Sequence, residues 1–238
     1  MSAPRSPWRA AARRILTMPG VRLLAPGWPD AGRVIVQLPI LEPLVERAAR
    51  ESAPRQVLNA GVGEGLHTPL LRRHAPDARL FEFDYGTPRP ANAPHIHRFS
   101  ASLDAISVAS SSVDLVRCTE VLEHVLNDTA AVAEIRRVMT PNGRLVLSVP
   151  TPPAVPDSAH VREGYTLEQL TALFAAHDLE IIEARYCMHR FFQAVLRHWR
   201  PRRVPLGVIL TLAWLDRLLK PGAPMDLAVL ARPRANAT

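Results

Sequence analysis

Apolar and polar residues alternate along the chain in two periods, and the switches between them mark out the elements. Residues 33–50 place Leu41, Leu44, Val45 and Ala48 at helical spacing, and Ser52-Ala53-Pro54 ends that segment. A short apolar strand over 56–60 follows, then a helix from about Leu66 to His74, stopped by Ala75-Pro76-Asp77. Residues 79–84 form a second strand and 96–99 a weak third. The run 113–118 reads as a fourth strand and 119–125 as a short helical turn. Asn127-Asp128-Thr129 supplies cap residues for a helix reaching Met139 with Val132, Ile135 and Val138 inward. Pro141-Asn142-Gly143 reads as a turn before a nearly all-apolar fifth strand, 144–149, of the kind buried in parallel sheets. Thr166-Leu167-Glu168-Gln169 is a capping box opening a helix with Leu167, Leu170, Leu173 and Phe174 on its buried face. A sixth strand spans 179–188, an amphipathic helical insertion 190–222, and a last strand 225–231.

Strands and helices alternate through the middle of the chain, which predicts an α/β fold with a parallel, doubly wound sheet. Residues 1–32 form a basic, proline-rich extension and 33–238 a single domain with its core at 52–190. A ligand in such a sheet lies beyond the carboxyl ends of the strands, where the strand order reverses. Three groups converge there. The first is the glycine turn in Val57-Leu58-Asn59-Ala60-Gly61-Val62-Gly63-Glu64-Gly65, whose spacing is Gly-x-Gly-x-Gly. Such a turn lets backbone approach a ligand closely. The second is Asp84, an acid closing the second strand, placed to accept from ribose hydroxyls. The third is Cys118-Thr119-Glu120 at the end of the fourth strand. Read alone, the glycines also suit an ordinary loop and Asp84 an ordinary strand end.

Taken together these motifs resemble the class I S-adenosylmethionine-dependent methyltransferases of the small-molecule type. The resemblance rests on 57–65, on 81–84, on Ser112-Val113-Asp114-Leu115-Val116, on Glu120-Val121-Leu122-Glu123-His124-Val125 and on 141–150, and it covers about residues 40–190. It implies a Rossmann-like, doubly wound, mostly parallel seven-stranded sheet with helices on both faces and a helical insertion before the last strand. It implies S-adenosyl-L-methionine as cofactor, with Asn59, Ala60, Gly61, Val62, Gly63 and Gly65 around its methionine part. Asp84 and Tyr85 would stand at the ribose, Ser102 and Leu103 at the adenine, and Cys118 and Thr119 at the methyl-transfer site. Two positions depart from the family's pattern. Asn59 stands where an acid usually helps hold the cofactor's ammonium, and Ser102 where an aspartate commonly meets the adenine amino group.

A sulfonium carries an activated methyl, so the protein's main task is alignment, with a general base to help an acceptor hydroxyl. His124 and His160 are the candidate bases. Glu120, Glu123, Arg162 and Tyr165 are expected on the acceptor side, Arg162 as a partner for an acceptor carboxylate or phosphate or, equally, as a surface arginine in a lid. Glu120, Glu123 and His124 fall at i, i+3 and i+4 and could together hold Zn²⁺ or Mn²⁺. The reading adopted is that Glu123 and His124 cap and orient the site without a metal.

Charge and composition adjust this picture only slightly. The formal net charge is +7, nearly all of it arginine since Lys220 is the single lysine, and it gathers toward the two ends of the chain. Without interleaved aromatics this reads as a solvated surface, and nucleic acid is an unfavoured partner. Cys118 and Cys187 give neither a disulfide framework nor metal spacing, which points to a reducing, cytoplasmic setting. No apolar run reaches membrane-spanning length. The first 24 residues resemble a transit peptide in composition but lack a secretory signal's apolar centre. The apolar stretch 207–219, flanked by Arg202, Arg203 and Lys220, suits a lid or dimer helix, or peripheral membrane contact through 204–220 near a lipid-linked acceptor. The expected activity is methyl transfer to oxygen of a small or lipid-linked metabolite. A non-catalytic binding protein keeping the fold, and an RNA methyltransferase, are the alternatives.

Overall fold

The computed structural model describes residues 30–86, 94–154, 157–189, 206–220 and 222–235. Residues 1–29 of the extension read over 1–32, and the first part of the insertion, 190–205, lie outside the described residues. The elements are α1 (Asp30–Ser52), β1 (Gln56–Ala60), α2 (Thr68–His74), β2 (Arg79–Asp84), β3 (Ile96–Ser100) and β4 (Val113–Thr119). A 3₁₀ turn (Leu122–His124), α3 (Asp128–Val138), β5 (Met139–Pro150), α4 (Leu167–Ala175), β6 (Leu179–His189), α5 (Leu206–Leu219) and β7 (Pro224–Pro233) follow.

The seven strands form one sheet in the order β3-β2-β1-β4-β5-β7-β6. The pairs β1–β2, β1–β4, β2–β3 and β4–β5 are parallel, and β7 enters antiparallel between β5 and β6. The order reverses between β1 and β4, and there the carboxyl ends open a crevice. Each sheet face carries its own core. Leu58, Phe83, Val116, Leu147 and Phe174 belong to one. Leu41, Leu44, Val45, Leu80, Leu115 and Leu230 belong to the other, under α1.

Local chemistry explains the boundaries. Asn127 caps α3 by accepting from the Ala130 N–H at 3.0 Å. Both bonds of the capping box at Thr166 and Gln169 form, at 2.9 and 3.2 Å. Helix α1 begins at Asp30, inside the segment read as an extension, and contains Pro39 and Pro43, whose rings stay off the fully buried stripe. The expected turn at Pro141-Asn142-Gly143 is absorbed into β5 as an irregularity, where the β4–β5 register shifts between Val113 and Leu115. Arg144 Nη1 donates to the carbonyls of Asn142 and Gly143, which holds this stretch against the strand. No helix among the described residues is long and apolar enough to cross a membrane. Helix α5 packs on β6 and leaves Trp214, Leu218 and Leu219 exposed.

Candidate active site

A cavity of about 800 Å³ opens at the switch point. Gly61, Val62 and Gly63, Asp84 and Tyr85, Ser102 and Leu103, and Thr119 and Glu120 line it, with His124 and His160 at one side. Helix α1 adds Val34 and Gln37 to the wall.

The glycine turn needs its glycines for two different reasons. Gly61, Gly63 and Gly65 all have positive φ, of 65°, 49° and 76°. A Cβ on Gly61 would lie 2.2 Å from Val121 Cγ2, whereas one on Gly63 would meet nothing within 4 Å. Gly61 is therefore a packing glycine and Gly63 opens onto the cavity. Asp84 ties the turn to β2: Oδ2 accepts from the Gly63 N–H at 2.7 Å and Oδ1 from the Tyr85 N–H at 2.8 Å. The carboxylate is held in place with acceptor lone pairs to spare. Tyr85 stands at the mouth, 84% exposed. Ser102 donates to Asp104, which also lines the cavity. A carboxylate thus stands two residues beyond the position where the resemblance looks for one.

Below the turn, a polar row crosses the sheet in register: Arg98 on β3, Glu82 on β2, Asn59 on β1 and Arg117 on β4. Arg98 Nε donates to Glu82 Oε2 at 2.6 Å, and Asn59 Nδ2 to Glu82 Oε1 at 2.8 Å. The Thr68 hydroxyl donates to the same carboxylate from α2. Arg117 Nη1 donates to Asn59 Oδ1 at 2.8 Å. Asn59 is thus fully committed as a bridge between an acid and a cation, both buried. Burial lowers the Arg117 guanidinium to about 10, so it remains charged near neutral pH. His67, beside Thr119, is held well below the ordinary imidazole value, first by burial and then by the Arg117 charge.

The side of the cavity nearest His124 is organised by the loop after β5. The Val161 N–H donates to the Glu123 carbonyl at 3.1 Å, and His124 Nδ1 lies 2.9 Å from the Ala159 carbonyl. A carbonyl only accepts, so Nδ1 is the donor here, and Nε2 stands on the other side of the ring, 3.8 Å from Glu123 Oε1. The His124 and His160 rings meet edge to face with centroids 4.7 Å apart. Ligand atoms of Glu123, His124 and His160 lie within 4.8 Å of one another, a set whose chemistry suits Zn²⁺ or Mn²⁺. Glu120, expected to share their helical face, sits at φ 54° and instead accepts from the Ser148 hydroxyl at 2.8 Å.

Several residues expected at the cavity are elsewhere. Cys118 is buried in the core on the other face of β4 from Arg117, and burial pushes its thiol up to about 12. Asn59, Ala60 and Gly65 stand behind the wall; a Cβ on Gly65 would meet Arg98 Nη2 at 2.9 Å. Glu123 is buried beneath the 3₁₀ turn and does not face the cavity. Arg162 ion-pairs with Asp128 and donates to the carbonyls of Val125 and Leu126 at 2.8 and 3.0 Å. The Tyr165 hydroxyl donates to Asp128 at 2.9 Å, and burial raises its pKa. Both brace the loop, and neither lines the cavity. Arg117, His67, Gln37 and Asp104 line the cavity without having been expected there. Only Arg117 had a sequence signal, as a charge inside a nearly apolar central strand.

Sheet order, glycine turn and strand-end acid define a doubly wound α/β protein with a nucleoside-sized pocket at its switch point. The chain belongs to the methyltransferase domain family, which it matches over residues 36–184. It is 31% identical over 107 residues to the malonyl-[acyl-carrier protein] O-methyltransferase of Hahella chejuensis, covering 42% of this chain and 38% of that protein. It is 31% identical over 111 residues to a Mycolicibacterium smegmatis protein described as a probable S-adenosylmethionine-dependent methyltransferase, covering 46% and 43% of the two. The chain thus spans less than half the length of these curated relatives. Its fold is shared with the 1,6-didemethyltoxoflavin-N1-methyltransferase of Burkholderia thailandensis, whose crystal structure holds S-adenosylhomocysteine. The TM-score is 0.57 at 16% identity, over 99% of this chain and 94% of that one.

Proposed function

We propose that the chain binds S-adenosylmethionine in the switch-point cavity and moves its methyl group to an oxygen of a small or lipid-linked acceptor. The observation that carries this reading is Asp84, a carboxylate fixed by two backbone N–H groups beside an open glycine, at the mouth of a cavity of about 800 Å³. That volume suits a nucleoside with an amino-acid tail. The residues fit the group: Asp84 accepts from ribose hydroxyls, Asp104 and Ser102 offer polar atoms to a base edge, and Phe83 and Leu103 give apolar wall.

When bound, the sulfonium supplies an activated methyl. The chain's own residues align the acceptor and handle its proton. His124 Nε2 accepts the proton of an acceptor hydroxyl, while the Ala159 carbonyl keeps the ring oriented through Nδ1. The name of the Hahella relative, an O-methyltransferase, supports oxygen as the receiving atom. Exposed Trp214 and Leu218 on α5 support an acceptor presented on a lipid. Titration calorimetry with S-adenosylhomocysteine tests the reading. Saturable one-site binding is expected, and no binding at millimolar ligand would favour a non-catalytic protein that keeps the fold.

A further inference from the structure

At the inner end of the cavity stands a buried cation whose hydrogen-bond acceptors among the described residues are all neutral. Arg117 is 4% exposed and lines the cavity. Its Nη1 donates to Asn59 Oδ1 at 2.8 Å, to the Gly61 carbonyl at 3.2 Å and to the Ala60 carbonyl at 3.4 Å. Its Nη2 donates to the Thr119 carbonyl at 3.4 Å. Three of these four bonds are long, and Nε has no partner among the described residues. The acids that act on it, Glu120, Glu82 and Asp84, do so through space. A buried guanidinium is strongly favoured by a carboxylate that meets its planar fork, and this one has donors to give. It also holds the carbonyl oxygens of the glycine turn, the acceptors an incoming ammonium would seek.

We propose that Arg117 is the specificity-determining residue at the cavity's inner end, and that it selects ligands whose tail carries a carboxylate. This rests on the reading that an adenosyl ligand occupies the cavity. Within that reading the amino-acid tail is recognised through its carboxylate, and its ammonium contributes little or is disfavoured. Asn59 fits this division. It relays Arg117 to Glu82 without placing a second carboxylate beside Glu82 in the row.

Three ligands separate the contributions: S-adenosylhomocysteine, its decarboxylated analogue, which keeps the ammonium, and 5′-methylthioadenosine, which lacks the whole tail. Calorimetry on the full chain should rank S-adenosylhomocysteine tightest, by about 10- to 100-fold as for a charge-assisted bond. The decarboxylated analogue should bind no better than 5′-methylthioadenosine. Arg117→Met should lose the 10- to 100-fold advantage, weaken 5′-methylthioadenosine less than S-adenosylhomocysteine and improve binding of the decarboxylated analogue. Arg117→Gln, which keeps donors for Asn59 and Gly61 without the charge, should also lose the advantage, and it guards against a folding failure in the first variant. The inference is overturned if the wild-type chain binds all three ligands equally, or if either variant weakens 5′-methylthioadenosine as much as S-adenosylhomocysteine. Equal, tight binding of all three leaves the adenosyl reading standing. Binding of none overturns both.

Discussion

Replacing Gly61 by alanine tests whether the glycine turn is built as described. The new Cβ would lie 2.2 Å from Val121 Cγ2, 3.3 Å from Cγ1 and 3.4 Å from Cβ, so turning the valine relieves only part of the contact. Two costs add. Alanine at φ 65° costs roughly 1–2 kcal/mol over glycine. Forcing a methyl against a β-branched neighbour costs about 1–3 kcal/mol more. Gly63→Ala is the control: it carries the same backbone cost at φ 49° but meets nothing within 4 Å. In a chain of 238 residues, each kcal/mol moves the melting temperature by roughly 2–4 °C. Thermal melts should therefore place Gly61→Ala roughly 2–12 °C below Gly63→Ala. Adding Val121→Ala should recover most of that difference in a double-mutant cycle. Cofactor affinity should rank the other way, because a methyl on Gly63 enters the cavity itself. Equal melting temperatures for the two alanine variants, or no recovery with Val121→Ala, would refute the packing argument.

The other predictions concern the cavity's titratable groups. His67 stays neutral in the folded chain while the unfolded chain takes up its proton near pH 6.5, so stability rises with pH through that window and falls below it. Urea melts between pH 5 and 7 should show His67→Gln flattening this slope by up to about 1.4 kcal/mol per pH unit; identical slopes would contradict the neutral assignment. His124→Asn should lower methyl transfer by about 10²- to 10⁴-fold, with the dissociation constant for S-adenosylhomocysteine unchanged. Dialysis against EDTA should leave turnover intact, since His124 is oriented by the Ala159 carbonyl. Lost activity restored by Zn²⁺ would instead make Glu123, His124 and His160 a metal-ligand set.

The fold was readable where one face of a segment is uniformly apolar. β4 and β5 lie inside the sheet between two cores, and their near-continuous apolar runs announce it. The site was readable only where a residue's role is set by backbone position. The glycine turn and Asp84 reach the cavity from strand ends, and strand ends follow from the pattern. Cys118 and Thr119 show the limit: neighbours on a strand point to opposite faces, so both could not line one wall, and strand parity favours Thr119 once Arg117 is placed under the turn. The bond between Arg117 and Asn59 depends on the β1–β4 register, and nothing local specifies it. Arg162 and Tyr165 meet Asp128 across a separation of more than 30 residues, which no local spacing could signal.

The central claim is that a nucleoside-bearing cofactor is held by the carboxylate at the end of β2. Calorimetric titration of Asp84→Ala with S-adenosylhomocysteine, beside the wild-type chain, tests it most directly. Losing two hydrogen bonds to a charged acceptor should weaken binding by at least about 100-fold. An unchanged dissociation constant would contradict the account.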